Sequence, residues 1–317
     1  YIEDTVAIET NYLTFTAEED SSTSGVKNNV YMGIQYSLDG GKTWLDLKYN
    51  YGKNVVLRKK GDKAILRGQN FENSGGGKGF AMTGKIAASG SVMSLIDGVG
   101  ITKVFPENTN FCYLFNRCGS ALTKAPELPA TTLTAGCYLD MFNGCTGLTQ
   151  APELPATTLT TDCYLDMFFG CTSLTQAPEL PATTLATGCY EQMFLGCTSL
   201  TQAPELPATT LARECYYRMF YDCTSLTQAP ELPATTLPDI NSSVDRGCYS
   251  EMFHGCTSLT KVPEILPATT LKGHCYLGMF SGCTSLTQAP ELPATTLSDR
   301  CYEEMFSGCT SLTQAPE

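Results

Sequence analysis

Sixteen cysteines are the residues in this sequence best suited to redox or metal chemistry. Most come in pairs eight residues apart, as in Cys163 and Cys171, whereas the first pair, Cys112 and Cys118, is six apart. An even number of cysteines outside the cytoplasm suggests disulfides. If the segment between them is helical, however, a rise of 1.5 Å per residue separates the two Cα atoms by roughly 12 Å, and a disulfide needs about 4.4–6.8 Å. We therefore favour buried, reduced thiols, with disulfides as the alternative.

Metal binding and nucleophilic catalysis have weaker support. The sequence has no C-x-x-C motif, and its two histidines, His254 and His274, lie in different stretches of the chain. A zinc site needs a convergent set of four ligands, so we expect no metal and no cofactor. Serine and threonine are abundant but repetitive, and no Ser/His/Asp set is singled out. We predict that the protein is not an enzyme.

The charge of the chain is unevenly distributed. Residues 1–108 contain 12 basic and 12 acidic residues, so the whole net charge of −12 lies in residues 109–317, as do all the cysteines. An acidic surface repels phosphate backbones and anionic lipids, and no apolar run approaches the roughly 20 residues of a membrane span. We expect no nucleic-acid partner and no membrane span. Because the chain begins at Tyr1, we also expect that a signal segment has been removed.

Residues 109–317 consist of a repeated unit of 26 residues. The motif A-P-E-L-P-A-T-T-L begins at Ala125 and recurs to Ala289, with one unit lengthened by seven residues near 238–247. In the unit from Cys163 to Gly170, Tyr164, Met167 and Phe168 have the i, i+3, i+4 spacing of one helical face. This spacing predicts a short helix that ends at the glycine, followed by a short extended segment. Stacked units would share one core and place Leu174, Leu200 and Leu226 in a single buried column.

The recurring M-F-x-G-C-T-S-L-T string, followed by L-P and a later leucine, resembles the BspA-like leucine-rich-repeat family of bacterial surface proteins. The resemblance covers about residues 109–317, although the A-P-E-L-P-A-T-T-L segment makes these units longer than is usual in the family. It implies a curved, right-handed solenoid, display at the cell surface or secretion, and a role in adhesion to a host or neighbouring cell. It implies no catalysis.

Residues 1–105 have the pattern of a β-domain. Five segments with alternating or β-branched residues predict strands at 12–16, 30–37, 43–48, 54–59 and 64–68. Short strands spaced by turns suggest a β-sandwich, for which we take an immunoglobulin-like topology. The expected fold is therefore α+β, with a sandwich at 1–105 and a leucine-rich-repeat solenoid at 109–317.

One hairpin in the first domain resembles an Asp-box, the turn motif of sialidase propellers. The sequence S-L-D-G-G-K-T-W runs from Ser37 to Trp44. A fragment of a glycan-active enzyme is a distant alternative, because a propeller would carry several copies and a site must be argued from a constellation. A stable hairpin is the interpretation we favour.

Two columns of side chains could form binding surfaces on the solenoid. The residue before the glycine that ends each predicted helix varies from unit to unit, and three neighbouring units place large apolar or aromatic side chains there or one turn away, namely Phe169, Leu195, Tyr217 and Tyr221. A repeated glutamate forms a possible acidic ladder, with Glu153, Glu179, Glu205 and Glu231 at roughly strand spacing, about 4.8 Å. Packing between units and a solvated acidic edge are the alternatives.

The function favoured by the sequence is a non-enzymatic binding or adhesion protein whose solenoid recognises a protein or glycan on a host or neighbouring cell. A structural spacer or fibre module that projects another domain is the alternative. Nearly constant units suit a spacer, whereas the varied column suits recognition.

Overall fold

The computed structural model describes residues 9–29, 31–48, 55–73, 79–239 and 246–314. Regular secondary structure within these residues lies almost entirely in the first hundred positions. The strands are β1 Leu13–Ala17, β2 Gly25–Asn28, β3 Tyr31–Ser37, β4 Leu45–Asp46, β5 Val55–Val56, β6 Lys63–Asn73, β7 Phe80–Thr83, β8 Ile86–Ser89 and β9 Leu122–Lys124, and one helical turn is α1 Ser94–Asp97.

The strands form a six-stranded sheet with the order β4-β3-β6-β1-β8-β9 and a three-stranded sheet with the order β5-β2-β7. In β1, Leu13, Phe15 and Ala17 are buried and alternate with half-exposed threonines, as the two-residue period of a strand requires. The predicted strands overlap β1, β3, β4, β5 and β6, while positions 30 and 54 lie outside the described residues.

The β-region packs directly onto the first repeat unit. Strand β8 pairs in parallel with β9, which belongs to the repeat region. The amide of Phe80 donates to the carbonyl oxygen of Leu114 at 2.7 Å, and the Phe15 and Phe115 rings meet edge to face with centroids 6.2 Å apart. The hydrophobic core is one cluster that runs from β1 to the last unit. The boundary expected near residue 108 therefore passes through a shared core.

Each repeat unit begins with a ribbon of successive tight turns. Within one unit, the amides of Cys163, Leu165 and other odd-numbered residues donate to the carbonyl three residues earlier. The alternate amides donate instead to the next unit, as Asp166 does to Glu191 at 3.0 Å. A residue with positive φ occurs every fourth position, so an α-helix cannot form. In successive units these residues are Gly136, Asp140 and Gly144; Asp162, Asp166 and Gly170; Gly188, Gln192 and Gly196; and Glu214, Arg218 and Asp222.

The ribbons stack in register, and equivalent side chains form ladders. Phenylalanine rings follow one another at 5.4–5.8 Å with nearly parallel planes, and a second ladder of tyrosines has centroids 5.7–6.0 Å apart. Leu174, Leu200 and Leu226 are fully buried, which confirms the predicted leucine column. Apart from β9, the described remainder of the units contains no regular strand and pairs with its neighbours through isolated parallel bridges, such as Gln150 to Gln176 and Thr184 to Thr210.

The expected α+β fold is therefore wrong. Helix is limited to α1 among the described residues, and the segments predicted as helices form turns because every fourth residue is left-handed. The repeats form a stack of turn-built units rather than a closed, right-handed solenoid of strands and helices. The immunoglobulin-like sandwich is not confirmed, since the described strands form a six-stranded and a three-stranded sheet and the larger sheet takes its last strand, β9, from the repeat region.

Candidate binding surface

The turn ribbon decides which side chains face the core and which face outward. Tyr164, Met167 and Phe168 are buried, whereas Phe169 and Gly170, which follow them, are only partly covered. The stack repeats this arrangement in most units, but Ser281 is buried, and in the last unit Tyr302 and Phe306 are only half-buried. The stack brings the residues before the glycine, or its equivalent Asp222, into one line that we call the outer row: Asn143, Phe169, Leu195, Tyr221, His254, Ser281 and Ser307.

Three of the four residues predicted to bind a partner belong to the outer row. Phe169, Leu195 and Tyr221 are half-buried, so each offers part of its side chain to a partner. Tyr221 also stacks on His254 with ring centroids 4.4 Å apart and planes 7° from parallel. The structure therefore places large side chains of consecutive units next to one another.

Tyr217 lies in the adjacent row and is covered. Its exposed fraction is only 6%. The guanidinium carbons of Arg218 and Arg246 lie 4.9 and 5.3 Å from its ring centroid, within cation–π distance. Arg218 also lies 5.2 Å from the ring of Tyr221. Tyr217 is therefore packed beside the outer row and leaves little of its own side chain accessible to a partner.

Charged residues that the sequence analysis did not single out surround this row. Glu191 is 4% exposed and pairs with Arg246 at 3.3 Å. Burial raises the pKa of Glu191 to about 7, although the nearby Arg246 opposes the shift. Arg218 binds both carboxylate oxygens of Glu251 through Nε and Nη2 at 3.0 and 3.1 Å. Nothing local in the sequence marks Glu191, because its partner lies 55 residues further along the chain.

Two further carboxylates lie in adjacent units on the same side of the stack. Burial raises the pKa of Asp166 to about 7, and the neighbouring Asp140 adds to the shift. One carboxylate oxygen of Asp166 is buried without a hydrogen-bond partner among the described residues. Asp140 has a raised pKa for the same reason, burial, and is hydrogen-bonded to Asn143.

The predicted acidic ladder lies on another side of each unit, where the A-P-E-L-P segments stack. Glu153, Glu179, Glu205 and Glu231 are all exposed. Shallow grooves run beside them between neighbouring proline-containing segments; one of about 530 Å³ lies between residues 202–207 and 227–233. The solvent exposure of these carboxylates is what the alternative of a solvated acidic edge expects.

All sixteen cysteine thiols are free, and only Cys112 is not buried. The second cysteine of most units donates to a phenylalanine carbonyl of the preceding unit, as Cys197 Sγ does to Phe168 at 3.1 Å. Burial raises the pKa of the Cys197 thiol, which suppresses its thiolate. The helix on which the predicted separation of paired cysteines rested does not exist, so that argument for free thiols is wrong.

The Asp-box-like hairpin is held by its own side chains. Hydrogen bonds from Thr43 and Ser37 lower the pKa of the exposed Asp39 carboxyl. The half-buried Trp44 packs edge to face on Tyr12 at 5.3 Å and lies under the guanidinium of Arg67 at 4.0 Å. These contacts give Ser37, Asp39, Thr43 and Trp44 a structural role.

Within the described part of the chain, no group of three or more histidine, cysteine, aspartate or glutamate side chains is placed to hold a metal ion. His254 stacks on Tyr221, and His274 is buried with Nε2 3.7 Å from Asp299. Over the same residues, no helix has both the length and the apolar character needed to cross a membrane.

No protein-family model matches the chain, and no curated protein resembles it in sequence. Among solved structures, it is similar to a leucine-rich repeat protein from Bacteroides ovatus, with 22% identity and a TM-score of 0.37. The aligned region covers 59% of this chain and 41% of that protein, so the chain spans less than half of its length. A similarity of this size does not carry fold or function from one protein to the other.

Proposed function

We propose that the chain is a non-enzymatic recognition module of the BspA-like leucine-rich-repeat type, secreted or displayed at a cell surface, that binds a protein or glycan through the outer row. The observation that carries the proposal is the contrast between constant and varied positions. The buried tyrosine, methionine, phenylalanine and cysteine ladders are nearly identical from unit to unit. The outer row changes from asparagine to phenylalanine, leucine, tyrosine, histidine and serine.

Core packing imposes the same demand on every unit, because each unit meets an almost identical neighbour. A position that accepts both Phe169 and Ser307 is therefore not set by the core. Large, half-exposed side chains at such positions contribute less to folding than fully buried ones, while aromatic side chains are favoured anchors at interfaces. Phe169, Leu195 and Tyr221 thus make the third to fifth units the preferred contact region.

The surroundings of the row suit a partner with both polar and apolar groups. Arg218 and Glu251 supply a charge pair beside Tyr221, and His254 extends the aromatic surface by one unit. The acidic repeat region disfavours nucleic acid and anionic lipid as partners. A protein or glycan on a host or neighbouring cell fits these groups, and no cofactor is needed for such binding.

A structural spacer is the second candidate. The continuous ladders of stacked rings and the inter-unit hydrogen bonds would make a stiff rod even without a ligand. In that case the outer row would vary because nothing constrains it.

Binding of the full chain to a glycan array and to immobilised fibronectin, laminin and collagen distinguishes the two candidates. Each hit is then measured with the variant Phe169→Ser/Leu195→Ser/Tyr221→Ser. The matched control is Glu179→Gln/Glu205→Gln/Glu231→Gln, which changes three exposed side chains on the other side of the stack. Circular dichroism and the melting temperature report whether each variant is folded.

We expect the serine variant to lose binding while it stays folded, and the glutamine variant to bind like the wild type. If the serine variant binds as tightly as the wild type, the outer row is not the binding surface. No binding to any member of the panel would favour the spacer.

A further inference from the structure

A cleft lies where the β-region meets the first two repeat units, away from Phe169, Leu195 and Tyr221. Its volume is about 410 Å³, within the range of roughly 300–1,000 Å³ in which small-molecule sites fall. The walls come from the end of β2, the start of β7 and the first two turn ribbons. Six side chains with polar groups line it, namely Asn29, Tyr113, Asn116, Arg117, Asp140 and Asn143, together with the ring of Phe80.

The two residues contributed by the first ribbon at left-handed positions are unusual. Tyr113 has φ 62° and Arg117 has φ 60°. Equivalent positions in the next unit are Asp140 and Gly144, types that adopt this conformation more readily than a bulky ring does. The ribbon itself requires positive φ at these positions, as at Gln192 and Arg218 in later units, so the residue types and not the conformation set the first unit apart. Here both side chains line the cleft.

The hydrogen-bonding groups of the lining are only partly used. The Tyr113 hydroxyl is hydrogen-bonded to the Asp140 carboxylate. Asn29 donates to the Gly79 carbonyl at 3.1 Å, and Asn143 donates to Asp140 at 2.5 Å. Asn116 makes a long contact of 3.5 Å to the backbone oxygen of Asp140. The three amide oxygens and the guanidinium of the exposed Arg117 have no hydrogen bond within the described residues, so the cleft offers both acceptors and donors.

The formal charge of the lining and the Tyr113 ring indicate which class of ligand the cleft can bind. The lining holds one cation, Arg117, and one carboxylate, Asp140, so its formal charge is balanced and a charged ligand gains no net attraction. A neutral ligand rich in hydroxyl groups can donate and accept at once, which suits a lining of three amides, a guanidinium and a carboxylate. The half-buried Tyr113 ring supplies an apolar surface for the C–H face of such a ligand.

We propose that this junction cleft binds a neutral saccharide unit, with Tyr113 as the stacking surface and Asn29, Asn116, Asn143 and Arg117 as hydrogen-bonding groups. The site is separate from the outer-row residues of the third to fifth units, and it does not depend on the function proposed for them.

Side-chain amide resonances in ¹⁵N-labelled full-length protein test the site directly. The probes are glucose, galactose and N-acetylglucosamine, with glycine and inorganic phosphate as charged comparisons. For a ligand of this size in an open cleft we expect dissociation constants on the order of millimolar. The Asn29, Asn116 and Asn143 amides should shift in a saturable manner with at least one sugar and with neither comparison.

The variant Tyr113→Asn removes the ring and places at the left-handed position a residue that tolerates it, so the fold should be retained. It should weaken sugar binding by about tenfold or more. Gln192→Asn, at the equivalent position three units away, is the matched control and should bind like the wild type. The proposal is overturned if no sugar shifts the three amides, if glycine or phosphate does so instead, or if folded Tyr113→Asn binds as tightly as the wild type.

Discussion

The surroundings of Asp166 raise the pKa of its carboxyl group. Burial and the neighbouring Asp140 raise its pKa from 3.8 to about 7, and one of its oxygens has no hydrogen-bond partner among the described residues. Between pH 4 and 7 the folded state therefore binds more protons than the unfolded state. The free energy of unfolding should fall as the pH rises through this window, because the unfolded carboxyl ionises first.

Asp166→Asn should remove this penalty and keep a residue that tolerates φ 54°. After allowance for the solvent around a side chain that is not fully buried, we expect the variant to be more stable than the wild type by about 1–2 kcal/mol at pH 8. The difference should disappear near pH 4, as measured by urea unfolding. Asp222→Asn, at an exposed left-handed residue, is the control for the exchange of aspartate for asparagine in this backbone conformation. A constant difference from pH 4 to 8 would contradict the assignment.

The cysteines should be thiols in the folded protein. Each ladder thiol that donates to a carbonyl of the preceding unit, as Cys171 does to Phe142 at 3.2 Å, needs its hydrogen. Rapid denaturation without reductant, followed by reaction with a thiol reagent, should find most of the sixteen cysteines free. Reduction before denaturation is the control for the total count. If nearly all cysteines are oxidised, the S–H hydrogen bonds do not exist.

At the scale of the element, the turn ribbon and the predicted helix give opposite expectations for alanine and glycine at Gln192. Gln192 has φ 53°. In a helix, alanine at this position would be more stable than glycine by about 1 kcal/mol. At a left-handed position the order is reversed, because alanine keeps a Cβ penalty of roughly 1–2 kcal/mol that glycine avoids.

We therefore expect Gln192→Gly to be more stable than Gln192→Ala in urea unfolding. Both variants lose the same contact between Gln192 and Glu191, so their difference isolates the backbone. The matched pair Leu195→Gly and Leu195→Ala, in the same ribbon but at a residue without positive φ, should show alanine as the more stable. The same order at both positions would favour a helix and reject the ribbon.

At the scale of the whole molecule, the β-region and the repeats are joined by close backbone contact at Gly79. A Cβ there would overlap the carbonyl oxygens of Tyr113 and Leu114 in the first ribbon. Gly79→Ala should therefore separate β7 from the stack and lower the free energy of unfolding by about 2–3 kcal/mol. Gly119→Ala, which meets open space, is the control and should cost only about 1 kcal/mol for its positive φ. If both variants lower the free energy of unfolding equally, the close backbone contact at Gly79 does not contribute to stability.

Much of the core could be predicted from the sequence. The spacing of Tyr164, Met167, Phe168 and Leu174 identifies buried positions, because any compact unit that repeats must bury its apolar residues against the next one. The same spacing could not decide between helix and turns. A signal was present in Asp162, Asp166 and Gly170, which are four apart and of types that tolerate positive φ.

The candidate site was predicted only in part. The outer row can be predicted by comparing units, since the residue type changes at the position of Phe169, Leu195 and Tyr221 but not at the core positions. The covering of Tyr217 by Arg246 and the burial of Glu191 could not be read in this way, because contacts between residues 29 and 55 positions apart depend on how the units stack.

The sequence by itself determined the repeat, the unit length, the buried ladders and the line of varied side chains, because periodic apolar residues must be buried wherever identical units meet. Only the tertiary structure decided where the backbone amides of each ribbon find hydrogen-bond acceptors. Alternate amides find their acceptors in the neighbouring unit, and this inter-unit bonding, with a left-handed residue every fourth position, replaces the helix that local spacing favours. The same stacking decides that the β-region shares the core of the repeats through β9 and Phe115.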